Sequence, residues 1–542
     1  MPNTQDLRWR LFVEAWRSQC LHCEAAGSVV SCLPSLSSEG GEGKPTHRAV
    51  EYMANEIKFI DTTIRDGSQS LWALNMKTGM MLSALPYLDA AGFDAIEFYA
   101  PSGQIRKMAH HLGEDSFEWL KLGMKLNPKT ELRVHGGIRG ALSKVPFSAG
   151  KLLMDMCVAY GLTVTRTSDP WNDFPSFADE HSDINKCGVK VVMNVIYSES
   201  AKHTNEYYRE RVKQAADLKP YRICFKDVGG LLTPERTREL LPIFQESAGD
   251  IEIEFHAHCN NGLAPLNALE VAKGGVKYIH TSLPPLANGT AQPSVFNVAQ
   301  NLRALGFDTV LDEAALGPAM ENLTSIAHHH DMPIGEPRLF DQSIYHHQIP
   351  GGMISNLAYQ LRLVGMEDRL QETLEEAVRV RAEFGYPIMV TPLSQFVGSQ
   401  AAINVIVGER YKQVSDEVIQ YALGFWGREP VTDMDQEVRA KILDRGRARE
   451  WARWEQPEPS LKELRHKYGD NISDEELLVR VYAGDDYVGL VGKGSQPGDF
   501  LSVRQPLVML LDELVKRRGF RHVVVQKGEM SLALHGGQDS QS

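Results

Sequence analysis

Residues 222–248, RICFKDVGGLLTPERTRELLPIFQESA, contain one complete unit of the fold. A β-rich run over 222–225 ends in a Lys-Asp-Val-Gly-Gly loop, and a helical stretch follows. Outward in both directions, from Lys58 to about Ser282, the chain repeats this rhythm of short β-rich run, loop with Gly, Pro or Asp, and helix. The other strand candidates are 59–61, 95–98, 132–135, 163–167, 191–195, 251–256 and 278–281. Eight such units in roughly 230 residues predict an α/β chain closed into a (β/α)8 TIM barrel. An open doubly wound sheet rarely holds so many strands and leaves two edges exposed. In such a barrel, chemistry sits at the C-terminal ends of the strands.

The barrel is expected over residues 53–330. Beyond it the strand rhythm stops, and charged amphipathic segments at 366–384, 415–425, 436–454 and 461–468 predict a helical second domain over 331–485. A small element over 486–542 combines a helix-like 506–518 with strand-like 522–526 and 531–534. Residues 1–52 are expected to form a poorly ordered extension, since 35–44 is linker-like in composition and a clean sequence starts at Met53. Within the extension, Cys20-Leu-His-Cys23 has metal or redox spacing but no second pair to complete a site.

At 542 residues the chain can bury a sizeable core, and 43% apolar with 23% charged residues excludes collagen, long coiled coil and wholesale disorder. A net charge of -13, with no basic run to offset it, would repel a phosphate backbone and argues against a nucleic-acid partner. No apolar run approaches the ~20 residues of a membrane span. Of seven cysteines, most lie in apolar stretches, as Cys157 and Cys224 do, and read as small buried hydrophobes, so a reducing, cytoplasmic setting is expected.

Three polar signals fall at strand ends. Asp61-Thr-Thr-Ile-Arg65-Asp66-Gly67-Ser68-Gln69 follows the first strand and offers a carboxylate, a guanidinium and an amide in one turn, although Asp and Gly also suit a purely structural turn. Glu97, ending the second strand, is placed to pair with Arg65. His256-Ala-His258 closes the seventh strand. Side chains two apart on a strand share a face, so both imidazoles can aim into the barrel mouth and bind one cation. Lys226 closes the sixth strand with two readings open: an ion pair with Asp227, or a desolvated neutral amine. Such an amine can add CO2, and the resulting carbamate is an anionic oxygen donor for a metal. His328-His329-His330 reads as a solvated segment, because consecutive histidines cannot readily share a face.

Taken together these segments resemble the carboxyltransferase domain of the biotin-dependent enzymes, within the metal-dependent lyase superfamily that includes hydroxymethylglutaryl-CoA lyase. The motifs that carry the resemblance are DTTIRDGSQS (61–70), KDVGGLL (226–232), HAH (256–258), QIPGGMISNL (348–357) and VTPLSQFVGSQAAINV (390–405). The last two lie in the helical segment, which the resemblance identifies as the conserved carboxylase domain. The resemblance implies a divalent metal, Zn2+, Mn2+ or Co2+, held by Asp66, carbamylated Lys226, His256 and His258. Arg65 and Gln69 would hold a small 2-oxo acid, with pyruvate/oxaloacetate the expected pair. Thr391 would move the proton between biotin and substrate.

The segment Val134-His135-Gly136-Gly137 departs from the family, which has a Leu-Arg-Gly motif there; histidine is shorter and only partly charged near neutral pH. The sequence has no Met-Lys-Met biotinylation site, and no Gly-rich ATP-binding domain precedes the barrel. Biotin is therefore expected in trans, on a biotin carrier protein working with biotin carboxylase or decarboxylase subunits, and a homodimer is expected from the family. The competing expectation is a metal-dependent aldolase or acyl-CoA lyase on the same barrel.

Overall fold

The computed structural model describes residues 56–139, 145–349, 354, 357–358, 361–363, 365–390, 392–427, 429–500, 522–527 and 530–535. All eight expected strands form: β1 (Glu56–Asp61), β2 (Ala95–Tyr99), β3 (Glu131–His135), β4 (Val164–Ser168), β5 (Lys190–Ile196), β6 (Arg222–Asp227), β7 (Ile253–Ala257) and β8 (Tyr278–Thr281). They are parallel and in sequence order. β1 closes the barrel by pairing with β8 (Asp61 opposite Thr281) and with β2 (Ile60 opposite Ala95). A two-residue strand missed by the sequence reading, β9 (Asp308–Thr309), adds to the outer end of β1 at Glu56 and Ile57.

Strand alternation divides the barrel into two chemistries. One face of most strands, including Phe59, Phe98, Val134, Val195, Phe225 and Phe255, joins the large apolar core shared with the surrounding helices. The alternate positions carry buried polar residues, Glu97, Arg133, Arg166, Asn194, Glu254, His256 and His280 among them. Arg133 on β3 donates to Glu254 on β7 at 2.8 Å. Strands three and seven face each other across an eight-stranded barrel, so this contact crosses the interior. Charged side chains inside a protein persist only when paired, and here the pairs span the cylinder.

After β6, the helix Pro234–Ala248 starts on Thr233, whose hydroxyl accepts from Arg236 N–H, with proline at the first helical position. The helical segment beyond the barrel has its own apolar core, built on Leu370–Glu383, Leu393–Val407 and Asp416–Leu423. Trp171, from the loop after β4, inserts into that core and packs on Tyr421 with ring centroids 5.4 Å apart. The loop thereby locks the helical layer over the barrel mouth.

The expected helix 436–454 is broken into Gln436–Leu443 and Gly446–Trp451, because Asp444 and Arg445 leave helical geometry. Leu461–Tyr468 forms as expected, opened by a Ser460/Glu463 capping box. It and Asp474–Ala483 return to the barrel core through Leu464, Leu477 and Tyr482. Antiparallel β10 (His522–Lys527) and β11 (Met530–His535) make a hairpin. The expected helix 506–518, the extension 1–52 and its Cys20 and Cys23 lie outside the described residues. Among the described residues, no helix is long and apolar enough to cross a membrane.

Candidate active site

β1 ends in a wide turn, Thr63–Gly67, in which Gly67 N–H reaches back five residues to the Thr62 carbonyl at 2.9 Å. Wide turns of this kind gather at functional sites. Glycine is needed at 67 because a Cβ there would meet the Leu286 carbonyl oxygen at 2.7 Å. The turn delivers Arg65 and Asp66, both buried, to the mouth. Arg65 donates from Nε to Glu97 at 2.9 Å, from Nη2 to Asp66 at 2.7 Å and from Nη1 to Gln69 at 3.4 Å. The expected Arg65–Glu97 pair is therefore present. Glu97 also accepts from Arg166, and Arg166 in turn donates to Asn194 at 3.0 Å.

The strand-end histidines point inward together. His256 Nε2 and His258 Nε2 lie 3.2 Å apart, and Asp66 Oδ2 is 3.3 Å from the first and 3.8 Å from the second. Bonds of about 2.0–2.1 Å in a tetrahedral arrangement separate donor atoms by about 3.3 Å, so the spacing of this triad suits one cation. His258 Nδ1 donates to the Thr290 carbonyl at 2.7 Å, which leaves its Nε2 lone pair facing the cluster. Gln292 Nε2 donates to both imidazoles, at 3.2 and 3.0 Å. Burial alone would raise the Asp66 carboxyl, but the Arg65 guanidinium beside it outweighs burial and holds the group well below the usual carboxylate range.

Lys226 is buried beside this cluster. Of its two sequence readings, the ion pair with Asp227 does not form: Asp227 instead accepts from Leu231 N–H at 3.0 Å and Leu232 N–H at 2.8 Å, tying down the Gly-rich loop. Burial, reinforced by Arg166 and Arg65 and opposed by Asp66, pushes the lysine down to about 7. Near neutral pH a large fraction of the amine is then free to react.

A cavity of about 970 Å3 lies between the barrel mouth and the helical layer. Arg65, Asp66, Gln69, His135, Lys226 and His258 line it from the barrel, and Met389, Val390, Trp426 and Trp454 line it from the helices. Val390 precedes Thr391, which itself lies outside the described residues. His135 has a buried Nδ1 without a hydrogen-bond partner. Burial, followed by Arg65 and Arg166, holds its imidazole well below 6.5, so it faces the cavity neutral. His328, His329 and His330 are exposed at a helix end, as expected of a solvated segment.

Sequence reading passed over Arg166, Asn194, His280, Thr290 and Gln292. Arg166 left a trace, a lone charge amid the β-rich 163–167. Thr290 and Gln292 sit in a loop without periodicity and left none.

A charged barrel mouth overlaid by a helical layer, with a cavity between the two, defines an α/β-barrel enzyme. The family model described as HMGL-like matches residues 56–322, and the one described as conserved carboxylase domain matches 344–499. A pyruvate carboxylase subunit of Methanocaldococcus jannaschii is 33% identical over 395 residues, covering 72% of this chain and 69% of that one. The methylmalonyl-CoA carboxyltransferase 5S subunit of Propionibacterium freudenreichii subsp. shermanii is 30% identical, covering 71% and 76%. The 2-oxoglutarate carboxylase large subunit of Hydrogenobacter thermophilus is 30% identical, covering 78% and 66%. The carboxyl transferase domain from Rhizobium etli pyruvate carboxylase superposes with a TM-score of 0.71 at 20% identity, covering 88% and 83%, and shares the fold. The chain belongs to the carboxyltransferase family of the biotin-dependent carboxylases.

Proposed function

We propose that this chain moves CO2 between carboxybiotin, carried on a separate protein, and a small 2-oxo acid, with pyruvate/oxaloacetate as the pair. The observation that carries the reading is the convergence of Asp66, His256 and His258 on one point beside a lysine lowered to about 7, at the wall of the cavity. These residues, with Lys226 as its carbamate, would hold a divalent cation, Zn2+, Mn2+ or Co2+. Bonding Nζ to the carbon of CO2, with loss of one amine proton, turns a neutral group into an anionic oxygen donor. When bound, the cation would supply polarisation of the substrate and spreading of the enolate charge.

The chain's own residues supply the rest. Arg65 is fixed by Glu97 and Asp66, and its remaining Nη1 donor points with Gln69 toward the cavity, where the two would hold the substrate carboxylate and carbonyl. Thr391 would pass a proton from the substrate methyl carbon to the biotin ureido nitrogen as carboxybiotin releases CO2. The enolate carbon then bonds to that CO2. The helical layer overhangs the mouth, so that the freed CO2 is released beside the enolate. The partners of this reading are a biotin carrier protein and biotin carboxylase or decarboxylase subunits, in a cytoplasmic assembly containing a homodimer of this chain.

The test is exchange of carbon label between pyruvate and oxaloacetate in the presence of a biotinylated carrier protein. Exchange abolished by avidin is the expected result. Cleavage of a carbon–carbon bond other than that to a carboxylate, insensitive to avidin, would replace this reading with the aldolase or acyl-CoA lyase alternative.

A further inference from the structure

Below the candidate metal ligands, a line of polar contacts runs down the barrel axis. Glu254 on β7 accepts from Arg133 at 2.8 Å and from Arg222 at 3.0 Å, so it is an anchored carboxylate, able only to accept hydrogen bonds. His280 on β8 places Nε2 3.1 Å from Glu254 Oε2 and Nδ1 3.2 Å from His256 Nδ1. All three side chains are buried.

The protons on this line follow from its fixed end. Glu254 cannot donate, so His280 Nε2 carries the hydrogen of the lower contact. The Nδ1 of a neutral His280 then has only a lone pair, and the upper contact requires His256 to donate from Nδ1. That leaves His256 Nε2 bare, facing His258 Nε2 and Asp66 Oδ2. We infer that Glu254 and His280 are positioning residues that fix the tautomer and ring orientation of His256, so that its Nε2 lone pair is held ready for a cation. The inference rests on the metal reading proposed above. The two histidines of the triad are thus set by different devices: His258 by a backbone carbonyl in the loop after β8, and His256 by a side-chain relay anchored on two arginines at the barrel floor.

Cys224 lies close enough to Glu254 and His280 that these three could themselves form a ligand group. Glu254 is already engaged by two guanidiniums, however, and Arg166 adds a third positive charge nearby. A second cation there would be repelled.

The test uses the full-length protein stripped of metal, with Zn2+ as the probe in competition with a chromophoric chelator and Co2+ absorption as the readout of ligand geometry. His280→Phe keeps the volume and removes the acceptor, and His280→Ala removes both. The expected result is one Zn2+ per wild-type chain and about a 10–100-fold weaker affinity in each variant with an altered Co2+ spectrum. Variants that keep wild-type affinity and spectrum overturn the relay while leaving the metal reading intact. A wild-type chain that takes up no metal overturns both. Two equivalents in wild type, one of them lost in the variants, would make His280 a ligand in its own right and overturn the relay.

Discussion

Arg166 grips Glu97 with two prongs, Nε to one carboxylate oxygen and Nη2 to the other at 3.0 Å, with both side chains fully buried. Arg65 takes a share of the same carboxylate. Glu97 is therefore shared by two guanidiniums beneath the cavity, and Asp66 takes a second hold on Arg65 at 2.7 Å. Removing one partner of a buried ion pair leaves the other charge stranded and typically costs about 3–5 kcal/mol. Glu97→Gln is expected to destabilise the protein by about that amount in urea titrations. It should also abolish activity, because Arg65 loses its main anchor.

The same pair sets an acid limit. Burial opposes ionisation of Glu97, yet Arg166 and Arg65 hold its carboxyl well below the ordinary 4.5. A group with a lowered folded value contributes stability that is complete above its unfolded value and declines as pH falls toward the folded one. The stability gap between wild type and Glu97→Gln should be constant above about pH 5 and narrow below 4.5. A gap that stays constant down to the acid transition would show that the carboxylate gains nothing from its two arginines.

Lys226→Ala should retain the fold and lose both bound metal and carboxyl transfer, since a side chain at a barrel mouth is truncated with less disturbance than one packed between sheet and helices. With the amine lowered to about 7, protonation competes with CO2 addition below that value. Carbamate formation, read by 13C NMR with labelled bicarbonate, should be well developed above pH 7 and fade as the pH drops below it. Wild-type metal content in Lys226→Ala would remove the lysine from the ligand set.

His135 lines the cavity as a neutral group beside the Arg65 and Arg166 guanidiniums, and its buried Nδ1 has no hydrogen-bond partner. A substrate hydrogen bond there is worth about 0.5–1.5 kcal/mol, so His135→Ala should lower kcat/KM for the 2-oxo acid by about 2–13-fold. Metal content should not change. Comparing pyruvate with longer 2-oxo acids in both proteins would show whether the histidine selects by size.

The legibility of these features in sequence follows from the range of the contacts that make them. The eight strands, Lys226 and the His256–His258 pair could be read because their signals are local: period-two alternation, a glycine-rich loop, and two residues sharing a strand face. Arg133–Glu254 and Glu97–Arg166 could not, because their partners meet only after the barrel closes. Trp171 gave no sign of entering the helical core, since a tryptophan in a loop is equally compatible with exposure. The break at Asp444 was hidden by amphipathic spacing that continues on both sides of it. Gln292, which touches both histidines, sits in a loop whose course is set by backbone contacts to distant segments, such as Gly289 N–H to the Glu336 carbonyl.

The proton step isolates Thr391. Its neighbours Met389 and Val390 line the cavity opposite Lys226 and His258, and general acid–base groups typically contribute 10²–10⁴-fold. Thr391→Ala is expected to lower pyruvate/oxaloacetate exchange by about that factor, whereas Thr391→Ser, which keeps the hydroxyl, should retain most of it. Metal content and melting temperature should match wild type in both variants, since neither substitution alters the ligand cluster or the barrel-spanning ion pairs. Full exchange in Thr391→Ala would transfer the proton to another group, leaving Lys226 and the substrate's own carboxylate as the candidates to examine by the same pair of measurements.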